Sequence, residues 1–297
     1  MRQYLYIALC VFALTACKQT NTPQPPSLIL EGWIDAGDIP VVLIHQSYVL
    51  DNYVYADSVR TIEDVVEDLL IPFGRVTVSD GTNEMVLTGR VDTMYLPPYT
   101  YSSLYMEGAV GKTYTVTAQY KDYYATATTT IPPVATLDSI RVLSHADDAL
   151  DIRAYMSGVN EQEDAYYALF ARKYKSKQFQ LCPFGVFQSR DAKNGQMEIK
   201  VYNPSPEPDN RDISGFHFYV DPKADSPQKY QLKIARIDYP SYLYWKAYNE
   251  QIVTRGILFI PIYKNIPGNV SGGQGIFTGM GSSVYSFALA PDSTYRF

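Results

Sequence analysis

The sequence predicts a mostly β protein, with an immunoglobulin-like β-sandwich first and then a second β-rich, sandwich-like domain that carries one α-helix. Three observations predict it. Thr113, Thr115 and Thr117 alternate with Tyr114, Val116 and Ala118, the period-two pattern of a half-buried strand. Strand-length segments of this kind recur along the chain with turn residues between them, as sandwiches require. Only one long stretch of the second half, Asp238 to Ile252, has helical character.

Met1 to Ala16 read as a leader. Arg2 precedes an apolar run from Tyr4 to Leu14 that is well short of the roughly 20 residues a bilayer-spanning helix needs. Leu14-Thr15-Ala16-Cys17 resembles a bacterial lipobox, so the expectation is a lipoprotein signal peptide over residues 1–16 and an acylated Cys17 as the first mature residue. Each buried methylene contributes about 0.8 kcal/mol, and two or more chains hold a protein stably on a bilayer. Residues 17–27 then form a lipidated, Pro-rich tether. At about 3.1 Å per residue it spans roughly 30 Å.

The first sandwich is expected over residues 28–133. Its strands start at Leu28 to Ala36 and Pro40 to Tyr48. Val76 to Thr88 is a hairpin turning at Asp80-Gly81, and Thr113 to Tyr120 pairs with Tyr123 to Ile131 across Lys121-Asp122. Ile62 to Leu70 departs from this pattern. Ile62, Val65, Val66, Leu69 and Leu70 follow helical spacing opposite Glu63, Asp64, Glu67 and Asp68, which predicts a short surface helix with a solvated acidic face.

Pro132-Pro133 marks the domain boundary, and residues 134–297 form the second domain. Its strands are expected at Leu137 to Leu143, Leu150 to Met156, Tyr166 to Tyr174, Met197 to Tyr202, Phe216 to Val220 and Tyr230 to Ile237. A helix near 239–253 follows, capped by Asp238, with Pro240 tolerated in its first turn and Trp245, Tyr248 and Ile252 on one face. A strand returns at Ile257 to Tyr263.

Composition limits the chemistry. With 25 Lys and Arg against 31 Asp and Glu the net charge is −6, or −7 once Arg2 leaves with the leader, and no basic run offers a nucleic acid its phosphate contacts. Of three cysteines, Cys10 leaves with the leader and Cys17 carries lipid, so Cys182 has no intramolecular disulfide partner and reads as a buried, inert thiol. His45, His145 and His217 have no metal-ligand spacing, and HExxH and GxSxG are missing, so neither a metal, a cofactor nor a catalytic residue is assigned. Gly111-Lys112-Thr113 ends like a P-loop, but Met106 stands where the first Gly belongs and a strand follows. It reads as a turn.

Two segments stand out as contact candidates. The chain has 27 Tyr, and Tyr95, Tyr99, Tyr101 and Tyr105 crowd a Pro-broken, loop-like stretch suited to contacting a sugar or a protein partner. Gly272, Gly273 and Gly275 read as a tight turn before a strand that starts at Ile276-Phe277.

Taken together, the lipobox, LILEGWID, VGKTYTV, IPPVATLDSI, AYYALF, SYLYWKAYNEQ with Trp245 and Tyr248, and NVSGGQGIF with its glycines and Phe277 resemble an uncharacterised family of outer-membrane lipoproteins, domain-of-unknown-function family 4249. The likeness spans nearly the whole mature chain. It implies a Gram-negative source rich in TonB-dependent importers, near whose genes such proteins are often encoded. The expectation is therefore an outer-membrane-anchored, non-enzymatic binding or accessory component of TonB-dependent nutrient uptake, partnered by the membrane through its lipid, by a receptor, and by a glycan or other nutrient. A glycan-binding surface module and a structural or adhesion lipoprotein are the alternatives. The Ile62 to Leu70 segment and the Lys18-Gln-Thr-Asn21 run depart from the family pattern, and the second departure leaves open which leaflet the protein faces.

Overall fold

The computed structural model describes residues 27–47, 69–95, 97–144, 150–201, 218, 226–254 and 266–297. The leader, Cys17 and the tether up to residue 26 lie outside them, as do the Ile62 to Leu70 segment except Leu69 and Leu70, the strand expected at Ile257 to Tyr263, and that at Phe216 to Val220 except Phe218.

The described chain is mostly β with one α-helix. β1 (Leu28–Asp35) and β2 (Val41–Gln46) open it. They are followed by β3 (Arg75–Ser79), β4 (Glu84–Val86), β5 (Thr88–Val91) and β6 (Tyr99–Ser102). The hairpin β7 (Thr113–Tyr120) and β8 (Tyr123–Thr130) comes next. Past Pro132-Pro133 lie β9 (Ser139–Ser144), β10 (Leu150–Ser157), β11 (Tyr166–Lys173), β12 (Gln180–Gln188), β13 (Gln196–Val201) and β14 (Lys229–Ile237). The helix α1 (Tyr239–Thr254) precedes β15 (Val270–Ser271), β16 (Gln274–Ala288) and β17 (Ser293–Arg296).

Alternation builds the strands as expected. In β7 Tyr114, Val116 and Ala118 point into a core, and in β8 Ala125 and Ala127 meet them. The opposite faces carry cross-strand threonine pairs, Thr113 with Thr130 at 2.8 Å and Thr115 with Thr128 at 3.0 Å.

Three sheets make two sandwiches. An eight-stranded sheet in the order β12-β11-β14-β16-β1-β2-β6-β5 serves both. Its β1, β2 and β6 end faces the sheet β15-β8-β7-β3-β4 across a core that includes Leu30, Ile34, Val76, Tyr101, Val116 and Phe277. Its β11, β14 end faces β13-β10-β9-β17 across a second core with Ile140, Ile152, Leu169, Cys182, Leu232 and Phe287.

The division at residue 133 does not hold as two consecutive domains. β16 is 15 residues long, about 50 Å at the usual rise. Its first half, Gln274 to Met280, lies parallel to Ile29 to Asp35 and completes the first sandwich. Its second half, Gly281 to Ala288, runs antiparallel to Lys229 to Arg236 in the second. Val270 and Ser271 also return to the first sandwich, on β8. Sequence order hides this because the pairing joins strands more than 240 residues apart.

Three features lock the crossing. Lys233 Nζ on β14 reaches over β16 to Asp35 Oδ2 on β1 at 2.5 Å, and Ser282 of β16 donates its hydroxyl to Asp35 Oδ1 at 2.7 Å. The Thr129 hydroxyl donates to Asp238 Oδ2 and accepts the Gly279 N–H, both at 2.8 Å, while Asp238 Oδ1 caps α1 through the Ser241 N–H at 3.0 Å. The Pro132-Pro133 connection packs on the midpoint of β16, where a Cβ on Gly281 would come within 2.3 Å of the Pro132 carbonyl and Ala135 N–H donates to the Gly281 carbonyl at 2.9 Å.

Because β16 belongs to both cores, calorimetry should give one cooperative unfolding transition; two separated transitions would show that the shared strand does not couple the sandwiches. Lys233→Ala strands the buried Asp35 carboxylate and should cost about 3–5 kcal/mol in chemical denaturation, whereas the pair Lys233→Met with Asp35→Leu should recover most of that loss. A Gly275→Ala change meets φ +113° and the Leu30 carbonyl oxygen at 2.0 Å, so it should destabilise by at least about 2 kcal/mol.

Candidate functional site

The eight-stranded sheet has an outer face as well as the inner one, and alternation decides what it shows. Leu28, Leu30 and Ile34 of β1 enter the first core, so Glu31, Trp33 and Asp35 point the other way. On β16 Phe277 and Phe287 enter the two cores, leaving Ile276, Met280, Ser282 and Val284 outward. β11 contributes Phe170 and Arg172 outward, and β14 contributes Lys233.

Helix α1 covers part of this face. Tyr242 and Tyr244 are each 6% exposed, and Tyr242 packs with Ala168, Phe170, Ala235, Ile237 and Met280 in a third apolar cluster. Trp245 meets Phe170 edge-on at 5.5 Å. The face expected for the helix is thus present at Trp245, but Tyr242 and Tyr244 are buried more deeply than Tyr248, and the Ile252 side chain lies outside the description.

What α1 leaves open is a cleft of about 960 Å³ at the junction of the two sandwiches. That is near the top of the range for small-molecule sites. One wall holds Trp33 and Tyr95, with ring centroids 5.8 Å apart. A second aromatic group, from α1, holds Tyr244, Trp245 and Tyr248, the last two edge-to-face at 5.7 Å. Phe179 also lines the cleft, with the Arg172 guanidinium 4.1 Å over its ring.

Charge across the cleft is balanced but segregated. Glu31, Asp35 and Asp38 come from the first sandwich, and Arg172, Lys177 and Lys233 from the second. Asp35 and Lys233 neutralise each other across the floor, and Lys233 also lies 5.8 Å from the Phe170 ring centroid. Glu31 accepts the Tyr244 hydroxyl at 2.9 Å. Burial pushes the Tyr244 phenol far up, and the Glu31 charge and hydrogen bond push it further, so Tyr244 stays a neutral donor. Burial raises Tyr95 too, with Asp92 adding to it, and burial lowers Arg172. His45 lies on β2 beside this face, where desolvation holds its imidazole below its usual value against the opposing pull of Glu31.

The four tyrosines singled out in the sequence do not form one surface. Tyr95 lines the cleft. Tyr99 and Tyr101 sit on β6 rather than in a loop; Tyr101 is 2% exposed, with its hydroxyl donating to the Ile71 carbonyl and accepting the Gly74 N–H at 3.0 Å. Tyr99 is half-buried and bonds the Pro72 carbonyl. Tyr105 is 84% exposed and is not part of the cleft.

Trp245 and Tyr248 do reach the cleft. The glycine segment is structural: Gly272 at φ +77° turns β15 into β16, Gly273 approaches the Leu28 carbonyl, the strand already begins at Gln274, and Phe277 is fully buried in the first core. Asn269 fixes this turn by mimicking a strand partner, its side chain exchanging hydrogen bonds with the Phe277 N–H at 2.9 Å and carbonyl at 2.8 Å.

Sequence reasoning did not single out Glu31, Trp33, Asp35, Arg172, Lys233 or Tyr244. A signal existed in LILEGWID, where an inward Leu-Leu-Ile register leaves a Trp between two carboxylates on the other face.

Elsewhere, Lys112 of the P-loop-like triplet pairs with Asp80 Oδ2 at 2.7 Å across the base of the β3–β4 turn, and Thr113 starts β7. That hydrogen bond, with the Asn83 and Thr82 N–H groups, holds the Asp80 carboxyl well below its usual range. Cys182 is fully buried in the second core and burial pushes its thiol up. Among the described residues no group of three or more His, Cys, Asp or Glu is placed to hold a metal ion.

A search of curated proteins finds no match. Among solved structures, the crystal structure of domains A168-A170 from titin aligns with 10% identity and a TM-score of 0.20 over 71% of this chain. The alignment spans 60% of that structure's length. The sandwich assignment rests on the strand pairings and the two cores. The profile of the family described as Domain of unknown function (DUF4249) matches residues 18–286, and the chain belongs to that family.

Proposed function

We propose that the protein is an outer-membrane-anchored lipoprotein that holds a ligand without transforming it, as an accessory component of TonB-dependent nutrient uptake. The observation that carries the binding part is the junction cleft. Its lining includes partly exposed aromatic rings, and its most buried charges, Asp35 and Lys233, are spent on each other. A site built to hold needs shape and a few placed polar groups; this cleft sets Glu31, Trp33, Arg172, Trp245 and Tyr248 on strands and a helix and adds Asp38, Tyr95 and Lys177 from connecting loops.

The anchoring part draws on the lipobox at Cys17. A Pro-rich tether leaves a rigid binding body free to meet a membrane partner.

Cys17→Ala should move the protein from the membrane to the soluble fraction, and a variant that still sediments with membranes would overturn the anchoring. The lipidated protein, extracted in mild detergent, should co-purify with a TonB-dependent receptor identifiable by mass spectrometry. Recovery alone, under conditions that keep such receptors bound to their known lipoproteins, would remove the accessory role.

A further inference from the structure

We infer that the junction cleft binds a neutral oligosaccharide, a proposal that rests on the ligand-holding reading above. Four properties of the site select this class. The first is its pair of aromatic walls, Trp33 with Tyr95 and Trp245 with Tyr248. In each pair the rings are tilted or edge-on to one another, at 41° and 85°, rather than stacked face to face. Tyr248 is 36% exposed and Trp33, Tyr95 and Trp245 are partly exposed. Tyr248 stacks instead on Tyr244, with ring centroids 6.4 Å apart and 7° between the planes. Partly exposed aromatic rings at a cleft are platforms for the C–H faces of pyranose rings, and Tyr and Trp supply them at low cost in side-chain entropy.

The second property is the polar set between the walls. Carboxylates accept hydrogen bonds and cannot donate, so Glu31 and Asp38 call for a ligand with hydroxyl donors, while Arg172, Lys177 and Gln178 offer donors to its oxygens. The third is charge. Among the described residues three carboxylates and three cations line the cleft, a balance that favours neither an acidic nor a basic ligand.

The fourth separates a saccharide from a peptide. Extended peptides are commonly captured by adding a strand to an open sheet edge. The floor here is β14, β16 and β1, three central strands whose edges are already paired: β14 with β11 and β16, and β1 with β16 and β2. Among the described residues this floor therefore presents side chains rather than a free backbone ladder, although the edge strand β12 adds Gln180 and Leu181 to the cleft's lining. Its volume of about 960 Å³ accommodates several sugar units rather than one.

The chain has two tryptophans, Trp33 and Trp245, and both line this cleft, so intrinsic fluorescence reports its occupancy directly. The full lipidated protein in detergent is titrated with maltohexaose, cellohexaose, xylohexaose, mannohexaose and chitohexaose, with hexa-alanine as the peptide probe. At least one oligosaccharide should give a saturable change in tryptophan emission. Calorimetric affinity for it should fall at least tenfold in Tyr248→Ala and in Tyr95→Ala and stay unchanged in Tyr105→Ala, whose side chain lies outside the cleft. Circular dichroism and thermal melting establish that each variant is folded.

Binding that survives both cleft variants would overturn the placement. A response to hexa-alanine alone would overturn the ligand class while leaving a ligand-holding cleft in place. Silence from every probe in a folded protein would overturn the inference, and receptor co-purification would then decide the accessory role on its own.

Discussion

Everything in this fold depends on one strand being shared. β16 is parallel to β1 in its first half and antiparallel to β14 in its second, so neither sandwich closes without it. Backbone hydrogen bonds are obligatory for buried strands, and the first sandwich cannot satisfy β1 until a segment from the far end of the chain arrives. Residues on one parity of β16 fill two different cores, Phe277 the first and Phe287 the second. This places the pairing late in sequence and makes the topology strongly non-local, a condition associated with slow folding.

The same strand creates the site. Two sandwiches joined by a flexible linker would offer only a variable gap between them, but here one continuous sheet provides a continuous outer face. The Asp35–Lys233 pair crosses β16 on that face, with Ser282 between them. A buried ion pair contributes little to stability compared with apolar packing of the same volume, and its use lies in specifying one arrangement. Here it specifies the register of β14 and β1 on either side of β16. Helix α1 is tied into the same junction through Asp238 and Thr129, so the wall carrying Trp245 and Tyr248 keeps a fixed relation to the wall carrying Trp33. Fixed walls reduce the ordering cost that a ligand would otherwise meet.

Local physics made much of this readable in advance. The β7–β8 hairpin followed from alternation, the Asp80-Gly81 turn from its residues, and α1 from Asp238, whose cap on Ser241 the structure contains. What was hidden needed distant partners. β12, QLCPFGVFQ, carries Pro183 and Gly185 and is absent from the expected strands; its pairing with β11 accommodates them through a register shift between Ala168 and Phe170. YTYS after two prolines reads as loop, yet β5 and β2 both pair with it. Gly275 reads as part of a turn although it lies in β16, because its cause is invisible in sequence: the Leu30 carbonyl approaches it. Of the site, Tyr95, Trp245 and Tyr248 were singled out, while Lys233 and Asp35 were not, since a lone charge in a strand gains meaning only from the partner 198 residues away.

That distance has a consequence for binding. The groups lining the cleft come from both sandwiches, so a ligand that fills it meets both halves of the eight-stranded sheet at once. Ligand that binds only the native arrangement stabilises it in proportion to the logarithm of its saturation. Occupancy would therefore reinforce the one interface that the whole fold requires, β16 against β1 and β14, rather than a peripheral loop. A loop site could lose its ligand contacts and leave the cores intact. In this chain the strands that form the cleft's floor and carry Trp33 are strands that close the cores, and a change that loosens one loosens the other.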